Sequence, residues 1–291
     1  MIPTTATPSE SFSDASANAT VIQAVLPHTG KLCRSSICFG ESSFNTLFPR
    51  DASAKTIKSI VTRCHALAAA FTGGAYACLE LFFATLGLSE WYLKAVRASA
   101  VATIVREIFI DLGMYVPKIR TAFLRRYKPL ILMGEWLSSV TVCRNTPAEV
   151  RDEFRSLHRE AAGRGTRSPE SWLRQHEAII AGSAFFVYLR DADGRMVGGG
   201  LFHVSRDEGL YAVGAYDRAL FDKPLGHLVQ SHAVNEMKRR GLKWYKIGAS
   251  AYPGDSPRPS DKEIAISHFK QGFATHHFAA LRFEFAGGAE R

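Results

Sequence analysis

No cysteine follows Cys143. The five in the chain (Cys33, Cys38, Cys64, Cys78 and Cys143) are odd in number, irregularly spaced, and never form a CxxC. Structural zinc and a disulfide framework are therefore not expected, and reduced thiols in a cytoplasmic protein are the plain expectation. Negative charge is also short: 36 Lys and Arg stand against 27 Asp and Glu, a formal charge of +9 and a pI near 9.4. That surplus favours anionic partners such as nucleic acid, phosphate-bearing cofactors, nucleotide sugars or an anionic membrane face, and it serves a merely solvated surface equally well. The start has neither a basic region nor an apolar core, so residues 1–20, rich in Ser, Thr, Ala and Pro, read as a disordered tail and not as a secretory signal. The long apolar stretch His65–Leu88 contains Glu80 and is interrupted by Gly73-Gly74. An unpaired carboxylate in lipid costs roughly 3 kcal/mol. Two helices packed in protein, or one lying on a membrane surface, are expected before a span. The run Gly198-Gly199-Gly200 lacks the Lys-Ser/Thr ending of a phosphate loop, and a flexible or closely packed strand accounts for it better. His276-His277 has no obvious acidic companion, so no metal site is expected.

What is present is ordinary for a globular protein, with 46% apolar and 22% charged residues over 291 positions, enough for one large domain or two. Val21–Leu26 and Ile37–Phe39 suit short strands, and Thr56–Leu88 suits helix. Leu93–Gly113 reads as a helix, with Val96, Val101, Ile104, Val105, Ile108 and Leu112 at helical spacing. Arg120–Lys128 is strongly basic and reads as a solvated helix face or as a phosphate-contacting patch with Tyr127 stacking or hydrogen bonding. Trp136–Cys143 suits a strand. Thr146-Pro147-Ala148-Glu149 starts a helix running to about Ala162, with Thr146 as cap, and Ser168-Pro169-Glu170-Ser171 starts another ending near Gly182. Ala184–Arg190 and Met196–Val204 form a hairpin about Asp193-Gly194.

The order then becomes strand, loop, helix, strand, loop, helix. Leu210–Tyr216 is a buried strand, and Asp217–Gly226 breaks it. His227–Arg240 is a helix with basic residues in its last turn and Gly241 as its stop. Lys243–Ile247 is a second strand. Three prolines keep Tyr252–Ser260 irregular, and Ser260 with Glu263 offers a capping box for the last helix.

The segments GAYDR (Gly214–Arg218), KPLGH (Lys223–His227) and W-Y-x-I-G within Lys243–Gly248, then Lys262-Glu263 followed by FKQGF (Phe269–Phe273), carry a resemblance, with AGRGTRSPESW (Ala162–Trp172) upstream. Over Thr146–Phe283 the chain resembles the C-terminal lobe of the FemAB-like branch of the GNAT acyltransferase superfamily. The resemblance implies an α+β fold: a GNAT-like mixed, mostly antiparallel sheet flanked by helices. It places that lobe at residues 141–285, before a short tail at 286–291. Residues 21–140 would be a mainly helical region, a degenerate or replaced first lobe. The implied activity is acyl or aminoacyl transfer that forms an amide on an amine of a cell-envelope precursor, glycan or peptide. The implied donor is acyl-CoA or aminoacyl-tRNA, used as a substrate, with no tightly bound cofactor. Phe221–His227 departs from the Arg/Gln-x-x-Gly-x-Gly/Ala loop of CoA-using members, since Gly226 is its one glycine. The departure suits the branch whose members take aminoacyl-tRNA.

In such a fold the strands Leu210–Tyr216 and Lys243–Gly248 splay to make the cleft. The helix start at Leu225, Gly226 and His227 would offer free amides and a positive dipole to an anionic donor. The aromatic–Lys pair Phe269-Lys270 implies a lysine that offsets charge developing in the transition state. Tyr216 and Asp217 end the first cleft strand. Asp217 can accept a proton or orient an amine, or it can form a structural pair with Arg218, which otherwise binds a phosphate or carboxylate. His227 can act as a base or simply pack. Tyr245 can donate a hydrogen bond to a leaving group. Arg164 and Arg167 suit acceptor binding or loop stabilisation. Lys262 and Glu263 can pair with Asp217–Arg218 or merely begin a helix. The expected location is cytoplasmic, with peripheral contact at the inner face of a membrane. The competing expectation is the same fold without catalysis, binding RNA or an anionic membrane surface.

Overall fold

The computed structural model describes residues 9–14, 19–24, 35–39, 76–82, 101–165, 167, 169–204 and 208–285. The chain divides into two units, Met1–Arg106 with Phe278–Arg291, and Glu107–His277. In the first, β1 (Ser9–Asp14), β2 (Ala19–Ala24) and β3 (Ser35–Phe39) pair antiparallel in sequence. β4 (Tyr76–Phe82) runs parallel to β3 and is antiparallel to residues Ala279–Phe285. Several N-terminal expectations change. The supposed tail contains β1. Part of the stretch expected to be helical, Thr56–Leu88, is β4, and its remainder lies outside the described residues. No helix among the described residues is long and apolar enough to cross a membrane.

β5 (Val101–Asp111) is also a strand, where helical spacing predicted helix. Its Val, Ile and Thr residues are stiff at χ1 and fit a pleated sheet, and that preference outweighs a period that fits both structures. From Glu107 onward it belongs to the second unit, which holds all six described α-helices. These are α1 (Val116–Ala122), α2 (Tyr127–Leu137), α3 (Ala148–Ala162), α4 (Pro169–Ile180), α5 (Leu225–Arg239) and α6 (Asp261–Gln271). The strands are β6 (Ser139–Cys143), β7 (Ala184–Arg190), β8 (Met196–Val204), β9 (Glu208–Tyr216) and β10 (Trp244–Ser250), and β11 begins at His276. Trp136 and Leu137 close α2 and are not strand residues. Thr146 does not cap α3: Pro147 holds the N-cap position, and the Thr146 hydroxyl is buried without a partner.

The sheet of this unit runs β5-β10-β9-β8-β7-β6. β6 to β9 are antiparallel neighbours, and β10 is parallel to β9. It is a mixed, mostly antiparallel sheet with helices on both faces. Alternation along β7 shows why. Phe185, Val187 and Leu189 share one core cluster with Leu228, Val229 and Met237 of α5, with Ile119 of α1, with Phe123 just after it, and with Ile131 of α2. Phe186 joins Phe154, Leu157, Trp172 and Ile179 of α3 and α4 in a second cluster. The glycine run in β8 is explained by close packing: a Cβ on Gly198 or Gly199 would press on the Tyr216 or Phe186 ring, and one on Gly200 on Phe202 and Val229.

Candidate active site

β9 and β10 pair through only three residues, Trp244–Lys246 against Glu208–Leu210. Both strands continue well past that point. A bulge helps to open them: β8 pairs Leu201 with Val213 and then Phe202 with Tyr211, which leaves Ala212 as the extra residue. Ala212 and Val213 consequently both face α3 and α4, whereas Tyr211 and Tyr216 face α5. On its other side β9 keeps pairing with β8 as far as Tyr216. Its edge toward β10 is therefore open from Tyr211 onward.

The floor of the opening is polar and aromatic. Tyr211 and Tyr216 join hydroxyl to hydroxyl at 3.2 Å, and Tyr245 donates to Gln230 Oε1 from β10 to α5. Burial raises the hydroxyl pKa of all three tyrosines, strongly for Tyr216 and Tyr245. They stay protonated at neutral pH and can donate hydrogen bonds, but cannot serve as bases. Gln230 Nε2 is buried without a partner.

Lys270, on α6, enters this opening. Its Nζ lies 5.7 Å from the centre of the Tyr211 ring and directly against the Cα of Gly248 in β10. Burial lowers its pKa, the charge of Glu107 raises it, and Lys246 lowers it. Glu107 on β5 is buried and pairs with Lys246 Nζ at 3.1 Å through one oxygen, while the other has no partner. Two lysines thus share one buried carboxylate.

The helix start closes the other side. α5 begins after Pro224, with no side-chain cap. A Cβ on Gly226 would touch the Phe269 ring at 3.0 Å and the Tyr216 ring at 3.5 Å, so the glycine lets the first turn approach both. Leu225 is a core residue. His227 stands edge-on to the Tyr127 and Phe269 rings, at 4.4 and 5.1 Å between centroids. Burial, helped by the charge of Arg126, lowers its pKa to about 4, so it is neutral at physiological pH. Tyr127 is not on a solvated face: it is buried and donates from its hydroxyl to the Phe269 carbonyl at 3.1 Å. Arg125, Arg126 and Lys128 beside it are exposed.

Lys270, Tyr216, Tyr245, Gly226, His227 and Phe269 therefore gather around one opening. The others lie elsewhere. Asp217 accepts from Ala219 N at 2.9 Å in a tight turn and pairs with Arg195 at 2.9 Å, not with Arg218 or Lys262. Glu263 completes the capping box with Ser260. Arg218 donates from Nε to Ala161 O at 2.7 Å, at the end of α3. The loop after that helix carries Arg164, which is exposed, and Arg167, which is partly buried with its pKa lowered by that burial. Among the described residues no carboxylate pairs with Arg167. Arg218 thus reaches the end of α3, and Arg164 and Arg167 follow in the loop after that helix. Glu107, Tyr211, Gln230 and Lys246 were not singled out from the sequence, because nothing local marks them and long-range pairing gathers them. No cluster of His, Cys, Asp and Glu among the described residues could hold a metal ion.

Residues 118–257 match the family model of the acetyltransferase (GNAT) domain. This lobe is a GNAT domain. No curated protein matches the sequence. Among solved structures the chain is similar to FemX, with TM-score 0.62 at 11% identity, covering 96% of this chain and 89% of that one. It is also similar to the C-terminal domain of a putative lysylphosphatidylglycerol synthetase from Agrobacterium fabrum, with TM-score 0.59 at 13% identity over 97% and 84% of the two chains. A third is L-PGS from Bacillus licheniformis, with TM-score 0.55 at 12% identity over 97% and 85%. At such identities the likeness is one of fold, and it agrees with the FemAB-like resemblance read from the sequence. The GNAT opening between β9 and β10 is where the gathered residues lie.

Proposed function

We propose that this GNAT protein transfers an acyl or aminoacyl group from an anionic donor to an amine, forming an amide. The observation that carries the reading is Lys270 placed inside the opened β9–β10 pair, beside the uncapped start of α5. The donor, acyl-CoA or aminoacyl-tRNA, lies with a phosphate toward the amides of Leu225 and Gly226 and toward Arg126. Its carbonyl sits along the open edge of β9. The acceptor amine, on a cell-envelope precursor, glycan or peptide, comes from the side of Arg164, Arg167 and Arg218, which suits an acceptor bearing phosphate or carboxylate.

When the amine attacks, charge develops on the carbonyl oxygen. The ammonium of Lys270 offsets it in a site with little water, where such an interaction is worth more than in solution. Collapse of that adduct forms the amide, breaks the donor's ester or thioester bond, and releases the alcohol or thiol, with the amine's proton passing to it or to water. Tyr216, kept protonated by burial, can hydrogen bond to the leaving group. The neutral His227 supplies packing, since burial and the charge of Arg126 disfavour a charge on it. The missing glycine-rich approach to α5 favours an aminoacyl donor over acyl-CoA, and so does the likeness to a structure named for a lysyl-bearing phospholipid.

The test is donor binding and turnover by the purified chain, with acetyl-CoA, longer acyl-CoAs and charged tRNA, compared with Lys270→Met. Saturable binding of one donor, with amide formation lost in the variant, is expected. Failure of every donor to bind would overturn the reading in favour of a non-catalytic binding protein.

A further inference from the structure

α2 has two apolar sides, separated on one flank by Lys128 and Glu135, yet only one of them is buried. Tyr127, Ile131 and Gly134 face the interior, and Gly134 lies so close to Leu228 of α5 that a Cβ there would meet it at 3.0 Å. At 3.6 residues per turn, Pro129, Leu132, Met133, Trp136 and Leu137 fall together on the opposite side. That side faces solvent: Trp136 is 91% exposed, Leu132 59%, Met133 46% and Leu137 44%. A stripe of large apolar side chains left in water marks an interaction surface.

The charges around it indicate the partner. Between Tyr115 and Ser138, Glu135 is the single acidic residue, against Lys118, Arg120, Arg125, Arg126 and Lys128, and all six are exposed. A second copy docking by the same face would bring two basic rims together, which costs affinity. A nucleic acid would use the cations but would gain little from Leu132, Met133 and Leu137, which offer no aromatic face for bases. An anionic lipid surface uses both features. The apolar side chains enter the headgroup boundary, the indole of Trp136 sits at its preferred depth, and the long basic side chains reach the lipid charges.

We infer that the exposed side of α2, centred on Trp136, docks this protein on an anionic membrane surface. The inference is independent of the transfer reaction, because Leu132, Met133, Trp136, Arg125 and Lys128 take no part in the opening between β9 and β10.

Flotation of the full chain with vesicles of phosphatidylcholine alone, or of phosphatidylcholine with phosphatidylglycerol, tests it. Binding to the anionic vesicles is expected, weakened by salt. Trp136→Ser should reduce it by on the order of tenfold, from the lost apolar burial. Arg125→Gln with Lys128→Gln should reduce it by roughly tenfold and flatten the salt dependence. Trp136 is almost wholly exposed, so its replacement leaves the fold intact, which a thermal melt can verify. No binding to anionic vesicles, equal binding by wild type and Trp136→Ser, or a dimer in solution that Trp136→Ser dissolves would each overturn the inference.

Discussion

Gly248 and Lys270 are fitted to one another. Gly248 has φ 150°, an angle that side chains disfavour, and a methyl group there would collide with Lys270 Nζ. The lysine reaches the opening because the strand beneath it carries no side chain. Gly248→Ala is therefore expected to displace the ammonium, costing about 1–3 kcal/mol of stability and on the order of a hundredfold in turnover. Lys270→Met keeps the length without the charge, and should lose turnover by a hundredfold or so with little loss of stability. Single-turnover rates beside thermal melts check both. A Gly248→Ala protein that turns over normally would show that the fit does not position the lysine.

Glu107 sets the charge balance around that lysine. Its carboxylate, paired with Lys246, also raises the pKa of Lys270, while Lys246 lowers it. The protonated lysine is the form that offsets an oxyanion, so the rate should fall as pH rises through its pKa. Removing the carboxylate in Glu107→Gln lowers that pKa, and the alkaline fall should come at lower pH. Lys246→Met removes a repelling cation and should move the fall the other way. Full pH–rate profiles decide it, and displacement of both variants in one direction would refute the coupling.

The legible parts of this fold were those with local signals. The capping box of Ser260 and Glu263 is formed, Gly241 ends α5 with φ 77°, and the Gly198–Gly200 run is a packed strand. What stayed hidden depended on distant partners. Val101, Ile104, Val105 and Ile108 fit a helical stripe as well as a strand, and sheet neighbours decide between them. Tyr127 sits in a basic run that looks solvated, but its ring fills the space above Gly272, 145 positions away by number. Within the site, the motif around Phe269-Lys270 was readable. The carboxylate serving it was not, since Glu107 lies in a stretch whose period suggested another structure altogether.

His227 should make the protein acid-sensitive. Its pKa is about 4 in the folded chain against 6.5 ordinarily, through burial and then the nearby charge of Arg126. Between those values the unfolded chain binds more protons, so stability falls as pH drops from about 6.5 toward 4 and is fully present above that window. The whole difference corresponds to roughly 3 kcal/mol, and with the ring partly solvated about 2 kcal/mol is expected. Tyr127, Phe269 and Phe273 surround the ring, so His227→Phe suits the site and should flatten the slope. Urea midpoints at several pH values measure this. An unchanged slope in the variant would place the sensitivity at another histidine, such as His232 or His158, whose pKa burial also lowers.

Tyr127 and Gly272 give the most direct check on how α2 supports the site. The tyrosine ring lies where a side chain on Gly272 would be, and its hydroxyl holds the Phe269 carbonyl, one residue before Lys270. Tyr127→Phe removes only that bond and should cost about 1 kcal/mol. Gly272→Ala forces the ring aside and should cost about 1–3 kcal/mol. Tyr127→Ala opens a cavity and should cost about 3–5 kcal/mol, but combined with Gly272→Ala the new methyl group enters the space the ring has left. The pair should therefore cost less than the sum of its members, by an amount that a double-mutant cycle in urea reads directly. Strict additivity would mean that ring and glycine are not in contact. The bond to Phe269 and the ring contacts with Phe269 and Phe273 would then be what Tyr127 gives to the end of α6 that carries the lysine, and Tyr127→Phe alone should slow turnover.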